Sequence, residues 1–270
     1  QIAEEEHTAA TTGRSVRDTG GTKALKETAK REFVKLLESD HEVQALFLTA
    51  IRKKVGDHYQ YSPQSVPFEL FQNADDATVE LNEMLTAADL PPKQEEFVVA
   101  WQDNALCFMH WGRPINKFRE AGFEQGQERG FDRDLERMLV LNASDKNVLG
   151  DGSSVTGKFG LGFKSVFLIC DRPRIRSGRL GFEILGGLWP KADLAEDLVE
   201  QLRDVRPTLR NGTIIALKDL REPINGDAIV QSVQRFQQLA GILLAFSRKI
   251  KSIELRPRDT SPERVEWDER

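Results

Sequence analysis

The sequence predicts an α+β fold, in which a mixed, largely antiparallel sheet and a layer of helices on one of its faces form a two-layer sandwich. Segments with helical periodicity and segments with strand periodicity interleave irregularly over the 270 residues. Two strand-like segments follow each other so closely that a hairpin is indicated. A doubly wound parallel sheet would need strands and helices in regular alternation, so the irregular order favours the mixed sheet.

The N-terminal part predicts a flexible arm and three helices. Residues 1–21 are small, polar and glycine-containing, which is typical of a flexible arm. In residues 23–54 apolar positions recur every three or four residues, so we expect two amphipathic helices. Ser65 is a suitable N-cap and Pro67 suits a first turn, so a third helix is predicted from there to about Leu85.

The middle of the chain predicts a hairpin, a lid and a glycine loop. The segments "EFVVAWQD" and "ALCFMHW" have the composition of adjacent strands. Residues 112–156 carry scattered glycines around one short helix, "DRDLERMLVL", which is typical of a mobile lid. The segment "GKFGLGFKSVFLI" then predicts a glycine loop that runs into an apolar helix.

The last third predicts further strands and one long helix. Strands are expected around residues 174–176, 181–185 and 213–217, and at "IKSIEL". A helix is expected over residues 228–247. The chain starts at Gln1, and its last residues carry no helix end or turn signal, so we expect a piece of a larger protein.

Composition and charge argue against several classes of protein. The chain is 39% hydrophobic and 30% charged, and no apolar run approaches the roughly 18 residues of a membrane span. The net charge of -5 and the pI of about 5.6 argue against a nucleic-acid-binding domain, although a local basic patch could exist. Cys107 and Cys170 lie in separate apolar runs, so buried free thiols and a reducing, cytoplasmic location are expected. The four histidines form no metal-ligand cluster in sequence.

The stretch "ELFQNADDA" places three polar side chains on one side of a predicted helix. Glu69, Asn73 and Asp76 follow at spacings of four and three residues. A solvated helix face is the commonest explanation for such a row. Apolar neighbours make the helix amphipathic, however, so its polar side is also suited to a cleft. There an amide oxygen can bind a metal ion, and a carboxylate can orient water.

The stretch "GKFGLGF" places three glycines at spacings of three and two just before a predicted helix. Backbone amides at such a place can bind an anion, helped by the helix dipole. The alternative is a tight loop that packs closely on a helix. The loop matches neither the dinucleotide-binding fingerprint nor a P-loop, because no strand-to-acidic-residue unit surrounds it and the "GK[ST]" ending is absent.

The order of these motifs resembles that of one superfamily. A helix with E-x-x-x-N-A-x-D-A, a strand that ends in a glycine turn, a lid, G-x-x-G-x-G-F before a helix and an N-G-T strand follow one another. This order is similar to that of the GHKL ATPases, which comprise gyrase, the heat-shock chaperones, histidine kinases and MutL, and which share the Bergerat fold. "ELFQNADDA" and "GKFGLGFKSVF" are most similar to the ninety-kilodalton heat-shock chaperone and to sacsin-type modules, and "LLAFSRKIKSIEL" resembles the end of sacsin-like domains. The resemblance covers roughly residues 25–255.

The resemblance implies a magnesium–ATP site and gives its residues roles. Glu69 matches the general base that activates the water attacking the terminal phosphate. Asn73 matches the magnesium ligand, which holds the phosphates through the metal. Asp76 and Ala77 match positions beside the adenine and ribose, and Thr213 matches the threonine near the adenine amino group.

The resemblance also implies a phosphate-binding loop. The matching positions are Gly157, Lys158, Phe159, Gly160, Leu161 and Gly162. Lys146, in "ASDK", corresponds to a lid lysine. For Lys164 two alternatives stay open, a phosphate contact and a solvated helix position, and the second is favoured.

The turn after the second strand departs from the superfamily pattern. Where the family commonly has D-x-G-x-G, with the aspartate accepting the adenine amino hydrogen bond, this chain has His110, Gly112 and Pro114 in "HWGRP". A neutral imidazole can accept at one nitrogen, so adenine recognition could survive, whereas Pro114 makes the turn stiffer. His110 is either an adenine contact or a structural histidine. The turn resembles the H-x-G-x-P turns of sacsin-like bacterial proteins, so the change does not indicate lost function.

Three functions are compatible with these motifs. The first is a slow ATP-hydrolysing switch, whose lid closes over magnesium–ATP and which rearranges attached domains of a chaperone-like or bacterial defence protein. The second is a nucleotide-binding regulatory or dimerisation module without turnover, which the altered turn favours. The third, a histidine-kinase catalytic domain, is disfavoured, because such kinases generally lack the carboxylate four residues before the asparagine.

The expected organisation and partners follow from the resemblance. Residues 22–256 form the ATP-binding domain, with the lid at about 112–156, and residues 257–270 form a linker to a downstream region. The expected partners are ATP, Mg²⁺, a second copy in a nucleotide-dependent homodimer, and downstream domains of the same chain. Neither a membrane nor a nucleic acid is expected as a partner of this domain.

Overall fold

The computed structural model of the protein describes residues 20–92, 95–102, 104–121, 123–139, 162–221, 226–258 and 260–268. The predicted arm up to residue 19 and the predicted lid residues 140–156 lie outside the described residues. Among the predicted site residues, those that also lie outside are Lys146, Gly157, Lys158, Phe159, Gly160 and Leu161.

The described helices confirm the three predicted near the N-terminus. The helices are α1 (Gly20–Ser39), α2 (His41–Lys53), α3 (Val66–Ala87), α4 (Asp134–Leu139), α5 (Glu196–Val205), α6 (Gly226–Gln238) and α7 (Ala240–Phe246). Short 3-10 turns lie at Pro63–Ser65, Phe131–Arg133 and Ser165–Leu168, and a π-helical turn, Lys54–His58, follows α2. Asp40 separates α1 from α2, and its carboxylate caps α2 by accepting the N–H groups of Glu42 and Val43.

The described strands form one sheet. The strands are β1 (Glu96–Gln102), β2 (Ala105–His110), β3 (Arg174–Ser177), β4 (Leu180–Leu185), β5 (Trp189–Ala192), β6 (Thr213–Lys218), β7 (Ser252–Arg256) and β8 (Glu263–Glu266). Their order is β5-β4-β3-β6-β2-β1-β7-β8. Neighbours run antiparallel except β1 and β7, which run parallel. The sheet is therefore mixed and largely antiparallel, as predicted, and β1 and β2 form the predicted hairpin.

Most of the helices pack on one face of the sheet. Apolar side chains of α2, α3, α6 and α7 join the inward positions of the central strands in one core cluster. At its centre the rings of Phe71, Phe97 and Phe236 lie with their centroids 5.4 to 5.9 Å apart. Such aromatic packing holds α3 and α6 against the sheet.

The opposite face of the sheet is covered by α5, which corrects the expectation that helices lie on one face only. Leu198, Leu202 and Val205 of α5 pack on alternate positions of the central strands, among them Cys107. Every residue of β2 is buried. A strand with apolar residues on both faces needs cover on both, and the continuous apolar run of β2 is the sequence sign of this.

The C-terminal part differs from the predicted elements in two places. The predicted helix over 228–247 is two helices, because the backbone leaves the helical conformation at Leu239 (φ -96°, ψ 0°). Within the predicted linker at 257–270, β8 pairs antiparallel with β7 and extends the sheet.

Cys107 and Cys170 are buried free thiols, as expected. Within the described residues, no helix has both the length and the apolar character needed to span a membrane.

Candidate functional site

Three neighbouring strands place a row of polar side chains at one end of the sheet. His110 on β2 is the register partner of Thr213 on β6, and Thr213 is the partner of Ser177 on β3. The hydroxyls of Thr213 and Ser177 are hydrogen-bonded at 2.7 Å, and Ser177 also accepts the backbone N–H of Ile115 at 2.9 Å. Two predicted site residues from distant motifs, His110 and Thr213, are thus adjacent.

Helix α3 is held to the turn after β2 by close backbone packing. The N–H of Arg113 donates to the carbonyl oxygen of Ala77 at 2.7 Å. A Cβ atom at Gly112 would lie 2.7 Å from the carbonyl carbon of Ala77, so a side chain does not fit at this position. Two further predicted residues, Ala77 and Gly112, therefore form the contact that joins the helix to the turn.

A small cavity with a free volume of about 60 Å³ is bounded by α3, α4 and the ends of β2 and β6. The lining includes Asn73, Ala77, His110, Phe163 and Thr213. Four of the residues predicted from separate motifs thus line one small cavity.

The last residue of the glycine loop, Gly162, contacts the polar side of α3. A Cβ atom at this position would overlap the carboxylate of Glu69 and would lie 3.7 Å from the amide nitrogen of Asn73. Glycine is therefore required at position 162 while Glu69 keeps this orientation. The predicted base, the predicted metal ligand and the end of the predicted phosphate loop meet at one place.

Glu69 has a neighbour that the sequence motifs do not reveal. The hydroxyl of Tyr61 is hydrogen-bonded to the carboxylate of Glu69. Burial and the charge of Glu69 raise the pKa of Tyr61, so the hydroxyl stays protonated and donates at neutral pH. Tyr61 therefore orients the carboxylate. It lies in the short segment between α2 and α3, where no motif or periodicity points to it.

Lys164 is fully buried, which corrects the expectation of a solvated helix position. Burial and the nearby ammonium of Lys54 lower the pKa of Lys164 to about 8. Its Nζ donates to the carbonyl oxygen of Arg137 at 3.4 Å. Lys164 follows Gly162 by two residues, and its ammonium lies near the positive charge of Lys54.

Arg113 ties the described part of the predicted lid to α3. Its guanidinium is 3% exposed and forms two hydrogen bonds with Asp134 of α4, at 2.6 and 3.0 Å. It also donates to Glu80 of α3 at 2.8 Å, and the centroid of the Phe131 ring lies 4.0 Å from its central carbon. Sequence reasoning missed this network because its members are not in helical spacing and match no motif.

The two aspartates of "ELFQNADDA" have different partners. Asp75 is buried, and its carboxylate accepts the backbone N–H groups of Arg248, Lys249 and Ile250, each at 2.9 Å. Asp76, the predicted nucleotide contact, pairs with the guanidinium of Arg248 and does not line the cavity of the described residues. Asp75 thus holds the backbone of the segment before β7, and Asp76 forms an ion pair with a side chain of the same segment.

His110 has one of its ring nitrogens already engaged. It is 9% exposed, and its Nδ1 accepts the backbone N–H of Gly112 at 3.2 Å. Burial lowers the pKa of His110 to about 4, so the imidazole is neutral at pH 7. A neutral imidazole has one acceptor and one donor nitrogen. The acceptor nitrogen of the neutral ring is therefore engaged by the backbone of Gly112, and His110 stays either an adenine contact or a structural histidine.

We expect His110 to make the fold sensitive to acid. Its pKa is about 4 in the folded chain, against about 6.5 when unfolded. Between these values the unfolded chain binds more protons, so the free energy of unfolding falls as the pH decreases, by up to about 3 kcal/mol from this group. Urea unfolding of the wild type and of His110→Gln at pH 7 and pH 4 measures this. An equal pH dependence in both proteins would contradict a neutral, buried His110.

Asn73 is the described residue best suited to hold a magnesium ion. Its carboxamide lines the cavity and lies beside Gly162. Among the described residues, no group of three or more His, Cys, Asp or Glu side chains could hold a metal ion. A magnesium ion bound with a nucleotide does not need such a group, because phosphate and water oxygens supply most of its ligands. The carboxamide oxygen of Asn73 could therefore supply one ligand to such an ion.

Comparisons with known proteins give no family for this chain. No protein-family model matches the sequence, and no curated protein matches it. The functional assignment therefore depends on the geometry of the site.

Proposed function

We propose that this chain is a GHKL-type domain with the Bergerat fold, which binds magnesium–ATP and hydrolyses it slowly as a switch in a larger chaperone-like or bacterial defence protein. The observation that carries the proposal is the meeting of Glu69, Asn73 and Gly162 beside a cavity that His110 and Thr213 also line. A merely solvated helix row would have no reason to meet the end of the glycine loop. The mixed sheet, with α3 packed against its polar row, supports the same fold.

The phosphates would lie at the Gly162 end of the site. Position 162 has no side chain, which leaves room there for the carboxylate of Glu69, and the positively charged Lys164 follows two residues later. Asn73 would hold the magnesium ion. When bound, that ion neutralises phosphate charge and polarises the terminal phosphate.

Glu69 would act on the attacking water. Its carboxylate lies next to Asn73 and Gly162, and Tyr61 fixes its orientation. A carboxylate held in this way can accept a proton from water as the water attacks the terminal phosphate. A carboxylate that only faces solvent on a helix surface does not need a hydrogen-bond partner to orient it. The contact of Tyr61 with Glu69 therefore favours a function with turnover.

The alternative is a nucleotide-binding regulatory or dimerisation module without turnover. Two features of the turn after β2 favour it. His110 replaces the family's aspartate, and Pro114 replaces its second glycine. In addition, Arg113 pins the turn between α3 and α4, which restricts movement of the described part of the lid. In that case nucleotide binding would stabilise one conformation or a homodimer, and downstream domains of the same chain would respond to it.

Binding calorimetry of ATP with and without Mg²⁺ tests the proposal. We expect magnesium-dependent binding that Asn73→Ala weakens at least tenfold, because one protein ligand of the metal is lost. Gln72→Ala is the matched control, since Gln72 is the exposed carboxamide next in sequence on α3. Absence of any ATP binding, or an Asn73→Ala variant that binds magnesium–ATP like the control, would overturn the assignment.

A further inference from the structure

A second, larger cavity adjoins the turn that follows β2. It is bounded by α3, this turn, the β3–β4 turn and the segment before β6, and its free volume is about 470 Å³. Small-molecule sites typically enclose about 300 to 1,000 Å³. Among the described residues that line the two cavities, Ile115 alone is common to both. The consecutive residues His110 and Trp111 line different cavities, so the larger space is separate from the proposed nucleotide site.

Close packing fixes the walls of this second cavity. At the β3–β4 turn Gly178 has a φ of 56°, and a Cβ atom there would lie 3.0 Å from Cβ of Pro114. Pro114, the residue that departs from the superfamily turn pattern, thus packs against this turn. Trp111 is buried, and its indole nitrogen would lie 2.8 Å from a Cβ atom at Gly212. Because these walls are already held in place, a ligand meets a preformed site.

The lining carries more positive than negative charge. Lys117, Arg179 and Arg210 line the cavity together with the carboxylate of Glu120. Glu120 pairs with Lys117 at 3.2 Å. Among the described residues, neither Arg179 nor Arg210 has an ion-pair or hydrogen-bond partner. Two guanidinium groups thus face one cavity without a counter-charge, in a chain whose net charge is -5.

The remaining lining includes apolar side chains, which are those of Leu81, Trp111, Pro114 and Leu180. A guanidinium presents a fork of N–H donors that matches the oxygens of a carboxylate or a phosphate. A simple inorganic anion would satisfy the arginines but leave the apolar walls in water. A neutral apolar molecule would cover the walls but leave the arginines without a partner. The combination therefore fits a molecule that has both parts.

We infer that this cavity binds a small organic anion, whose carboxylate or phosphate group pairs with Arg179 and Arg210 and whose apolar body packs beside Trp111. The site needs no magnesium ion, because the two guanidinium groups supply the positive charge. The inference does not depend on the proposed function, since its residues lie outside the cavity lined by Asn73 and His110.

Calorimetry on the full chain without Mg²⁺ tests the inference with four probes. Naphthyl phosphate and naphthoate combine an anion with an apolar body, naphthol lacks the anion, and inorganic phosphate lacks the apolar body. We expect at least one of the first two to bind at one site per chain, about tenfold or more tightly than naphthol and inorganic phosphate. The tighter of the two shows whether the site takes a phosphate or a carboxylate. Binding of neither, or binding of naphthol with equal affinity, would overturn the inference.

Variants locate the bound anion. Arg179→Met and Arg210→Met should each weaken binding of the tighter probe about fivefold, because each removes one charged donor at a place open to solvent. Arg203→Met is the matched control, since Arg203 is an exposed arginine of α5 outside the cavity lining, and it should bind like the wild type. All three positions are exposed, so we expect the variants to fold.

Asn73→Ala separates this site from the proposed nucleotide site. Asn73 lines the smaller cavity only, so its loss should leave binding of the tighter probe unchanged. If Asn73→Ala abolishes that binding while both arginine variants keep it, the anion lies in the nucleotide cavity and the inference is wrong. If the arginine variants alone weaken it, the second site stands, whether or not the chain binds ATP.

Discussion

Glu69→Gln is expected to reduce ATP hydrolysis at least about a hundredfold while it changes the affinity for magnesium–ATP by less than about threefold. The carboxamide has the shape of the carboxylate and can still accept a hydrogen bond from Tyr61, so the site keeps its packing against Gly162. It cannot take a proton from water. A loss that appears in kcat alone therefore identifies Glu69 as the base.

The matched control is Glu83→Gln. Glu83 lies on the same helix, its side chain is 46% exposed, and its partner is the exposed Arg129. The same chemical change there should leave phosphate release unchanged. Phosphate release and calorimetry on both variants and the wild type decide the question. If Glu69→Gln hydrolyses ATP like the control, Glu69 is not the base, and if it loses ATP binding, its role is in binding.

Binding without turnover in the wild type would favour the regulatory module instead. The proposed function includes a nucleotide-dependent homodimer, so the concentration dependence of turnover belongs in the same experiment. Turnover that rises more steeply than the protein concentration would indicate a dimer. Turnover proportional to concentration would show that the oligomeric state does not change over the range tested.

Arg113→Met is expected to lower the free energy of unfolding by about 3 to 5 kcal/mol, because it leaves two carboxylates without their partner in a buried place. Asp134 and Glu80 have side chains that are 7% and 13% exposed. The methionine fills much of the same volume beside the Phe131 ring, so the loss reports the charge network more than a cavity. Burial already raises the pKa of Glu80 in the wild type. Without the arginine it rises further, so the loss should be smaller at pH 5 than at pH 8.

Arg129→Met is the control for this prediction. Arg129 pairs with Glu83, has a side chain that is 40% exposed, and lies with its guanidinium carbon 4.6 Å from the centroid of the same Phe131 ring. Its loss should cost less than about 1 kcal/mol, as is usual for an exposed pair. Urea denaturation of the two variants compares them directly. Equal destabilisation would show that Arg113 acts through its contact with Phe131, and not through the buried pair.

Many of the elements could be predicted from the sequence, although β5, α5 and β8 were not. Periodicity locates α2, α3 and the hairpin of β1 and β2, because these elements are long or strongly patterned. The spacing in "ELFQNADDA" selects Glu69 and Asn73, and the structure brings both to Gly162. His110 and Thr213 belong to separate motifs, which the sequence relates only by their order in the chain. In the structure the two residues are register partners on adjacent strands.

Other parts of the site depend on contacts between residues that are distant in sequence. Tyr61 lies in a connecting segment and is identified by its hydrogen bond to Glu69. Lys164 has the sequence context of a solvated helix residue, but it is fully buried. The two aspartates of one motif also differ, since Asp75 binds three backbone N–H groups and Asp76 pairs with an arginine. Whether these side chains are buried, and which groups they contact, is set by the packing of distant segments. The spacing of residues in the sequence does not show this packing.

By itself, the sequence determined the types of the main elements and the side chains that can do chemistry, because periodicity and residue identity are local properties. The tertiary structure decided how those side chains are used. It placed α5 on the second face of the sheet and closed the buried network around Arg113. It also engaged the acceptor nitrogen of His110, because Nδ1 accepts the backbone N–H of Gly112. Protonation and polarity follow from the surroundings of a group, and those surroundings exist only in the folded chain.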